Sequence, residues 1–506
     1  MLFNTTEFIF IFLPLAVGLH FVAARQAARA AVIVTTFSSL IFYAWWSPPF
    51  VVLPILSIVG NFLVARVIVD LPEPAARLSM AAGVAANLLV LGYFKYADFL
   101  IAVVAARPPH PSPVPLALSF TTFVQIAFLV YVWQKRSRVD FARYAMFVSF
   151  FPHLIAGPIV RWSDLGPQIA DERRYHVDFQ NVAVGLTMFT FGLAKKVLIA
   201  DGLSGHVSPV FDAAALGEPI TAFAAWGAAF AYSAQLYFDF SGYCDMAVGL
   251  GLLFNLRLPI NFAAPLRSIN IIDFWRRWHI TLSNFLRDFV YVPLGGNERG
   301  RARQYINLIV TLVLGGLWHG ANWTFIAWGA FNGGLIAVNH AWRGVRGWRQ
   351  QTRVTRCAGW CATFVAFAVG MAMFRSANLE AMRHMLLAMV GLENGPASIN
   401  HIAVDADRWL IYKGYLSKSV VLSLAGENWS AVATLGTLAA ISIALFVPDT
   451  MEILDYREGE PHVKWRRTLA VAAWQPSVVW LVFICVLFGI SFTHLWRFDE
   501  FLYYQF

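Results

Sequence analysis

Stretches of about twenty apolar residues follow one another along this chain, separated by short loops rich in lysine and arginine. An α-helix needs about 20 residues to cross roughly 30 Å of hydrocarbon. Lipid satisfies no backbone polar group, so only helices and closed barrels span it. The runs are apolar on every side and lack period-two alternation, which argues against a transmembrane barrel. Hydrophobic residues make up 58% of the chain and charged ones 13%, against about 25% charged in ordinary soluble domains. The 506 residues are therefore expected to form one all-α polytopic membrane domain, 1–506. The net charge of +9 requires no nucleic-acid partner. Lysine and arginine in short loops fix orientation and face anionic lipid headgroups, so the bilayer is the first partner.

Applying the positive-inside rule gives a topology. Arg25 and Arg29 end a first span inside, placing the N-terminus outside. Spans near 31–47 and 50–67 go out and return. The stretch 78–106 crosses once, with Lys95 and Asp98 marking a break or re-entrant bend, and Leu116 to Trp133 returns to Lys135, Arg136, Arg138 and Arg143. Pro108, Pro109, Pro111, Pro113 and Pro115 make an extended outer loop. Between Phe147 and Leu256 the crossings cannot be counted, because Pro152, Gly157, Pro158, Lys195, Lys196, Asp239 and Asp245 interrupt the runs. Further on, spans are expected at 357–374, 431–448 and 474–492, with a polar outer stretch at 376–430, a basic inner loop carrying Arg457, Lys464, Arg466 and Arg467, and a second terminus outside. Glu7 with no basic residue before the run Phe8 to Ala24 reads as a first span rather than a cleavable leader. Cys244, Cys357, Cys361 and Cys485 lack partners at metal-ligand spacing and read as small hydrophobes, so no metal is expected.

Two histidines stand out. Trp275, Arg276, Arg277, Trp278 and His279 precede, by forty residues, a run of Gly315, Gly316, Leu317, Trp318, His319, Gly320, Ala321 and Asn322. An ionisable side chain kept in an apolar stretch is by default a functional candidate. Trp275, Trp278, His279, Leu282 and Leu286 follow helical spacing on one face, with Arg276, Arg277 and Ser283 on the other. For that segment alone a packed core histidine or an interfacial tryptophan belt is an even alternative. The apolar part of 304–316 is only about 13 residues, or roughly 20 Å, so His319 is expected within the membrane. The next run, Trp323 to Trp342, ends at Arg343 and Arg346, which puts His319 near the apex of a hairpin. Gly315, Gly316 and Gly320 leave room for backbone or an acyl chain near the imidazole, although small residues also serve helix packing. Asp239 and Asp245 are expected to be buried and paired with Ser241, Tyr243 or an arginine as support for the site. His153, beside Pro152, reads as a packing or helix-break residue.

The motifs are specific enough to carry a resemblance. Tyr237, Phe238, Asp239, Phe240, Ser241, Gly242, Tyr243, Cys244 and Asp245, then Asn261, Phe262 and Pro265, are followed by the segment Asp273 to Ser283, by Tyr291 to Asn297 and by Gly316 to Trp323. Together with Phe150 to Arg161 and the terminal Phe501 to Phe506, they resemble the membrane-bound O-acyltransferase family. Within it, the chain is most similar to the bacterial branch containing the alginate O-acetyltransferase membrane subunit and the D-alanyl transfer protein of teichoic acid modification. Cys244 stands where serine is common in that branch, and Leu502 and Tyr504 vary the terminal motif.

The resemblance implies a many-helix disc with a funnel and tunnel and re-entrant segments, a catalytic core over about 145–345, and a catalytic role for His319, with His279 as the second motif histidine. It implies a bacterial inner-membrane enzyme with no bound cofactor, using acetyl-CoA or another acyl thioester as donor. Its expected partners are polysaccharide synthesis and export machinery and an extracytoplasmic serine-hydrolase-like transferase that receives the acyl group. The physical reading agrees: acyl transfer to a hydroxyl needs a base and donors for an oxyanion, and a neutral imidazole in apolar surroundings can be that base. His319 is the expected base, with His279 or Asn322 orienting substrate and Trp318, Trp275 and Trp278 shaping the walls. Arg276, Arg277, Arg299 and Arg301, with Asn297 nearby, are candidates to hold donor phosphates, although solvated inside-positive loops explain any single one of these arginines equally well or better. O-acetylation of alginate, cellulose or another exopolysaccharide is the expected outcome, D-alanylation the alternative. From another class, a transporter without chemistry would lose flux rather than thioester consumption when His319 is changed.

Overall fold

The computed structural model describes residues 1–46, 48–105, 114–346, 352–392, 429–456, 473–495 and 502. Every regular element of two or more residues among them is helical. Six helical segments are long and apolar enough to cross a membrane, over 28–45, 48–70, 73–105, 179–216, 353–375 and 431–453, and shorter apolar helices lie at 8–24 and 478–493. The chain is a multi-pass membrane protein.

The first helices follow the expected boundaries closely: α1 (Leu13–Ala24), α2 (Ala28–Trp46), α3 (Val52–Asp70), α4 (Glu73–Ala105) and α5 (Leu118–Lys135). One expectation fails in α4, which runs unbroken for 33 residues. Lys95 makes no bend, because its ammonium finds acceptors on neighbouring helices and leaves the helix's own hydrogen bonds intact. Short helices α6 (Phe141–Ser149), α7 (Phe151–Leu154) and α8 (Trp162–Ala170) then turn the chain, with His153 buried and its Nε2 bonded to the Phe147 carbonyl at 2.9 Å. That is the packing role expected of it.

The uncounted middle resolves into α9 (Phe179–Ala194), a π-helical turn (Lys195–Ala200), α10 (Asp201–Leu216) and α11 (Ala222–Leu253). α11 is the centre of the molecule, with every residue from Ala231 to Leu253 buried. It packs on α9 at backbone contact: a Cβ on Gly192 would lie 2.4 Å from the Gly242 carbonyl oxygen, and one on Gly249 would lie 2.6 Å from that of Gly185. Such close approach is how helices associate where lipid supplies no hydrophobic drive.

Asp239 and Asp245 are buried as expected, but their partners are lysines rather than Tyr243, Ser241 or an arginine. Lys195 contacts Asp245 at 2.7 Å and Asp449 at 3.3 Å, while Lys196 contacts Asp201 at 2.6 Å and Asp239 at 2.9 Å. Consecutive residues of an α-helix point about 100° apart; the π turn beginning at Lys195 widens the helix here. Tyr243 instead stacks on Phe3, ring centroids 4.9 Å apart, and Ser241 is buried within α11.

After the site region come α16 (Arg353–Arg375) and α17 (Leu379–Met389), then α18 (Ala431–Phe446), α19 (Thr450–Ile453) and α20 (Val478–Thr493). The stretch 376–430 thus opens with a helix, α17, whose His384 Nδ1 lies 3.4 Å from the Ala214 carbonyl oxygen of α10. The rest of it from 393 to 428, Pro108, Pro109, Pro111 and Pro113, the basic loop with Arg457, Lys464, Arg466 and Arg467, and the terminal motif apart from Leu502 lie outside the described residues.

Candidate active site

The two histidine motifs converge on one indole. His319 is the last residue of α14 (Arg301–His319), and a three-residue turn leads into α15 (Trp323–Arg346), so it sits at the apex of the expected hairpin. α14 is longer than its apolar run suggested: 19 residues, about 28 Å at 1.5 Å per residue. The hairpin closes tightly because a Cβ on Gly316 would lie 2.1 Å from the Phe325 carbonyl oxygen, and one on Gly320 would lie 2.3 Å from the Phe325 ring. Those two glycines therefore serve packing. Gly315 lines a cavity instead.

His319 is walled by aromatic rings, with centroids 5.0 Å from Trp318, 5.1 Å from Phe374 and 5.4 Å from Trp328. Beside it opens a cavity of about 960 Å³. Gln304, Leu308, Thr311, Leu312, Gly315 and His319 are the α14 face of this cavity, following the 3.6-residue period. From Gln304 to His319 that face runs about 22 Å along the helix. The remaining wall includes Trp275, Arg276, Arg277, Ser283, Arg287, Tyr291, Asn297, Trp328 and His340. The cavity thus carries three arginines as well as the apolar residues that lead to the imidazole.

The expected single helix through Trp275 and Leu286 is absent. Instead α12 (Ile271–Trp275) and α13 (Ile280–Leu286) are separated by a turn, and His279 sits at the break with φ 44° and ψ 54°. A left-handed non-glycine residue is held only when its surroundings fix it. Asn261 does so: its carbonyl oxygen accepts from the Ile280 amide at 3.0 Å, and its Oδ1 accepts from Thr281 Oγ at 2.8 Å and lies 3.3 Å from His279 Nδ1. His279 is buried against Phe240, and its ring lies 6.1 Å from Trp318. It does not line the large cavity. Both imidazoles thus contact the Trp318 indole, but only His319 faces the open volume.

The other candidates divide. Trp275, Arg276, Arg277 and Asn297 line the cavity. Arg277 is held by Asp273 at 3.1 Å, whereas Arg276 is exposed and has no carboxylate in ion-pair contact among the described residues. Trp278 is buried beside Phe274, away from the open volume. Arg299 and Arg301 do not reach the cavity wall. Asn322 holds the hairpin turn, donating to the Ala377 carbonyl at 2.8 Å and accepting from the Thr324 amide at 3.1 Å, so both ends of its amide have backbone partners. Asp239, Ser241, Tyr243 and Asp245 belong to the buried α9–α11 interior and not to this cavity.

Some site residues escaped the sequence reading. Arg287, Tyr291, Gln304, Thr311, Trp328 and His340 all line the cavity; of these, Gln304 and Thr311 share the helical spacing of His319, a pattern readable from sequence. Lys95 donates from α4 to the Trp318 carbonyl. It lies outside 145–345, as does Phe374.

Comparison with known proteins gives the family. The profile of the membrane-bound O-acyltransferase family matches residues 116–382. The chain is 40% identical to a peptidoglycan O-acetyltransferase of Helicobacter pylori over 444 residues, covering 81% of this chain and 83% of that protein. It is 41% identical to a probable alginate O-acetylase of Azotobacter vinelandii, covering 77% of this chain and 78% of that protein. Similarity to a teichoic acid D-alanyltransferase of Streptococcus thermophilus is more distant, 27% identity covering 45% of this chain and 57% of that protein. With its all-helical membrane architecture and its histidine beside a deep cavity, this chain belongs to the membrane-bound O-acyltransferase family and is an O-acyltransferase.

Proposed function

We propose that the protein takes acetyl groups from a cytoplasmic thioester donor, acetyl-CoA, for O-acetylation of an exported polysaccharide, with His319 as the base. The observation that carries this reading is the position of His319 on a cavity of about 960 Å³ that also presents Arg276, Arg277 and Arg287. Guanidinium groups suit phosphate oxygens, and the narrow aromatic surroundings of His319 suit an acyl thioester carried inward from them. The imidazole accepts the proton of the attacking hydroxyl and returns it to the departing sulfur. His279 acts through position: it fixes Trp318, on which His319 rests, and is not in contact with the cavity.

The named relatives act on peptidoglycan and alginate, which widens the polymer class to include a cell-wall glycan as well as alginate or cellulose. The arginine-bearing end of the cavity faces the cytoplasm of a bacterial inner membrane, both termini lie outside, and an extracytoplasmic serine-hydrolase-like transferase working with the polymer synthesis and export machinery receives the acyl group. The test is ester-linked acetate on the exported polymer, in cells carrying wild type or His319→Ala at matched membrane levels. Loss of acetate with export intact supports the reading. Unchanged acetylation returns the histidine to packing, and loss of export with thioester consumption intact would favour a transporter.

A further inference from the structure

We infer that Lys95 supplies the positive charge that stabilises the oxygen anion formed beside His319, and that the small chamber it lines is where the acceptor hydroxyl meets the acyl carbon. The inference rests on the reading of His319 as base.

His319 also lines a second space of about 100 Å³, together with Lys95, Pro115, Ser119, Phe120 and Trp318 among others. That is room for a hydroxymethyl or an acetyl group. His319 is common to the linings of both spaces, so a donor entering by one and a hydroxyl entering by the other would meet at this residue.

Lys95 lies late in α4, about 33 Å along the helix from Glu73. Its ammonium donates to the backbone carbonyl of Trp318, the residue before His319, and to Ser119 Oγ at 3.4 Å. Next to it Tyr96 donates to the Leu317 carbonyl at 2.9 Å. The two α4 side chains therefore satisfy carbonyls in the last turn of α14, which lack partners within their own helix.

Capping alone does not call for a charge, as the Tyr96 hydroxyl shows. An ammonium in the membrane is costly, and Lys95 has no carboxylate in ion-pair contact among the described residues. An ammonium has three N–H donors. Trp318 and Ser119 account for two, and the third has no acceptor among the described residues.

In the reaction the acceptor oxygen attacks the thioester carbonyl carbon and a C–O bond forms. The hydroxyl proton passes to His319 while the carbonyl π pair moves onto oxygen, next to the Lys95 ammonium. When that pair returns, the C–S bond breaks and the sulfur leaves with the proton from His319. Lys95 keeps its proton throughout, so its contribution is electrostatic, of the kind worth ~100- to 1000-fold in kcat when one oxyanion donor is removed.

The experiment compares wild type, K95Q, K95R, Y96F, S119A and H319A in membrane vesicles containing the polymer machinery, with radiolabelled acetyl-CoA as probe and polymer-bound acetyl ester as readout. K95Q keeps an N–H donor for the Trp318 carbonyl but carries no charge. It should lower kcat at least ~10-fold with the donor KM within about twofold, and K95R should recover most of that loss. Y96F, which removes a cap and no charge, should stay within about threefold of wild type. The proposal is overturned if K95Q stays within about twofold of wild type, if K95R is as slow as K95Q, or if Y96F loses as much as K95Q. Should K95Q fail to assemble in the membrane, S119A decides, since it loosens the ammonium without removing it: a ~3- to 10-fold fall in kcat is expected, and an unchanged rate overturns the proposal. H319A at wild-type rate would remove the base reading itself, and the Lys95 proposal with it, whereas inactive H319A with active K95Q overturns Lys95 alone.

Discussion

The α14–α15 hairpin and the α9–α11 pair are built alike and do different work. Each is a pair of helices brought to backbone contact by glycines, and each carries ionisable groups inside the membrane. In the α9–α11 region the charges are mutual: Lys195 and Lys196 meet Asp201, Asp239, Asp245 and Asp449 at 2.6 to 3.3 Å, and the cavities beside His319 do not reach them. In the hairpin, aromatic rings surround His319 and two open volumes adjoin it. An intramembrane charge is thus a marker of function only when the structure leaves it facing space. Where its counter-charges are supplied, it fixes the fold.

Substitutions in each region put that contrast to the test. His319→Ala should leave assembly unchanged and lower acyl transfer by ~100- to 10,000-fold, the usual cost of removing a general base, read as polymer acetate per unit of membrane protein. Lys196→Met should do the opposite, because stripping one partner from a buried ion pair leaves uncompensated charge at a cost of about 3–5 kcal/mol. The thermal midpoint in detergent and the membrane level should fall, and activity per folded molecule should hold. Equal loss of stability in His319→Ala and Lys196→Met would erase the distinction. Gly192→Leu should cost about 1–3 kcal/mol by overpacking against the Gly242 carbonyl, measured by the same midpoint.

Smaller effects follow at the rim. Arg276→Ala should raise the donor KM up to ~10-fold with kcat held, since the guanidinium is exposed and its phosphate contact is screened by salt. A KM that does not change would assign Arg276 to orientation in the bilayer. Asn322→Ala should cost about 1 kcal/mol through the lost cap on the Thr324 amide, with kcat unaffected. A large fall in kcat at unchanged stability would instead restore Asn322 as a substrate-orienting group.

Legibility in the sequence followed the range of the interactions involved. Span positions were readable because hydrocarbon thickness sets a local length, and α2, α3, α5 and α18 end within a few residues of where hydropathy placed them. The continuity of α4 is not legible locally, because a lysine in an apolar run looks like an interruption until its acceptors, 24 and 223 residues further along the chain, are in view. The break at His279 is hidden for a similar reason: the spacing around it is helical, but Asn261 holds the residue in a left-handed conformation by contacts the local sequence does not contain.

An all-helical membrane protein, its family resemblance and the place of His319 at a hairpin apex can all be read from the amino-acid sequence. Those conclusions rest on apolar run length, glycine placement and contiguous motifs, all properties of neighbouring residues. That His319 and not His279 faces the cavity, that the aspartates of α11 answer to lysines, and that Lys95 reaches the end of α14 emerge from the folded molecule alone. The physical reason is that burial and counter-charge are supplied by segments distant in the chain, and no local pattern states which of them will arrive.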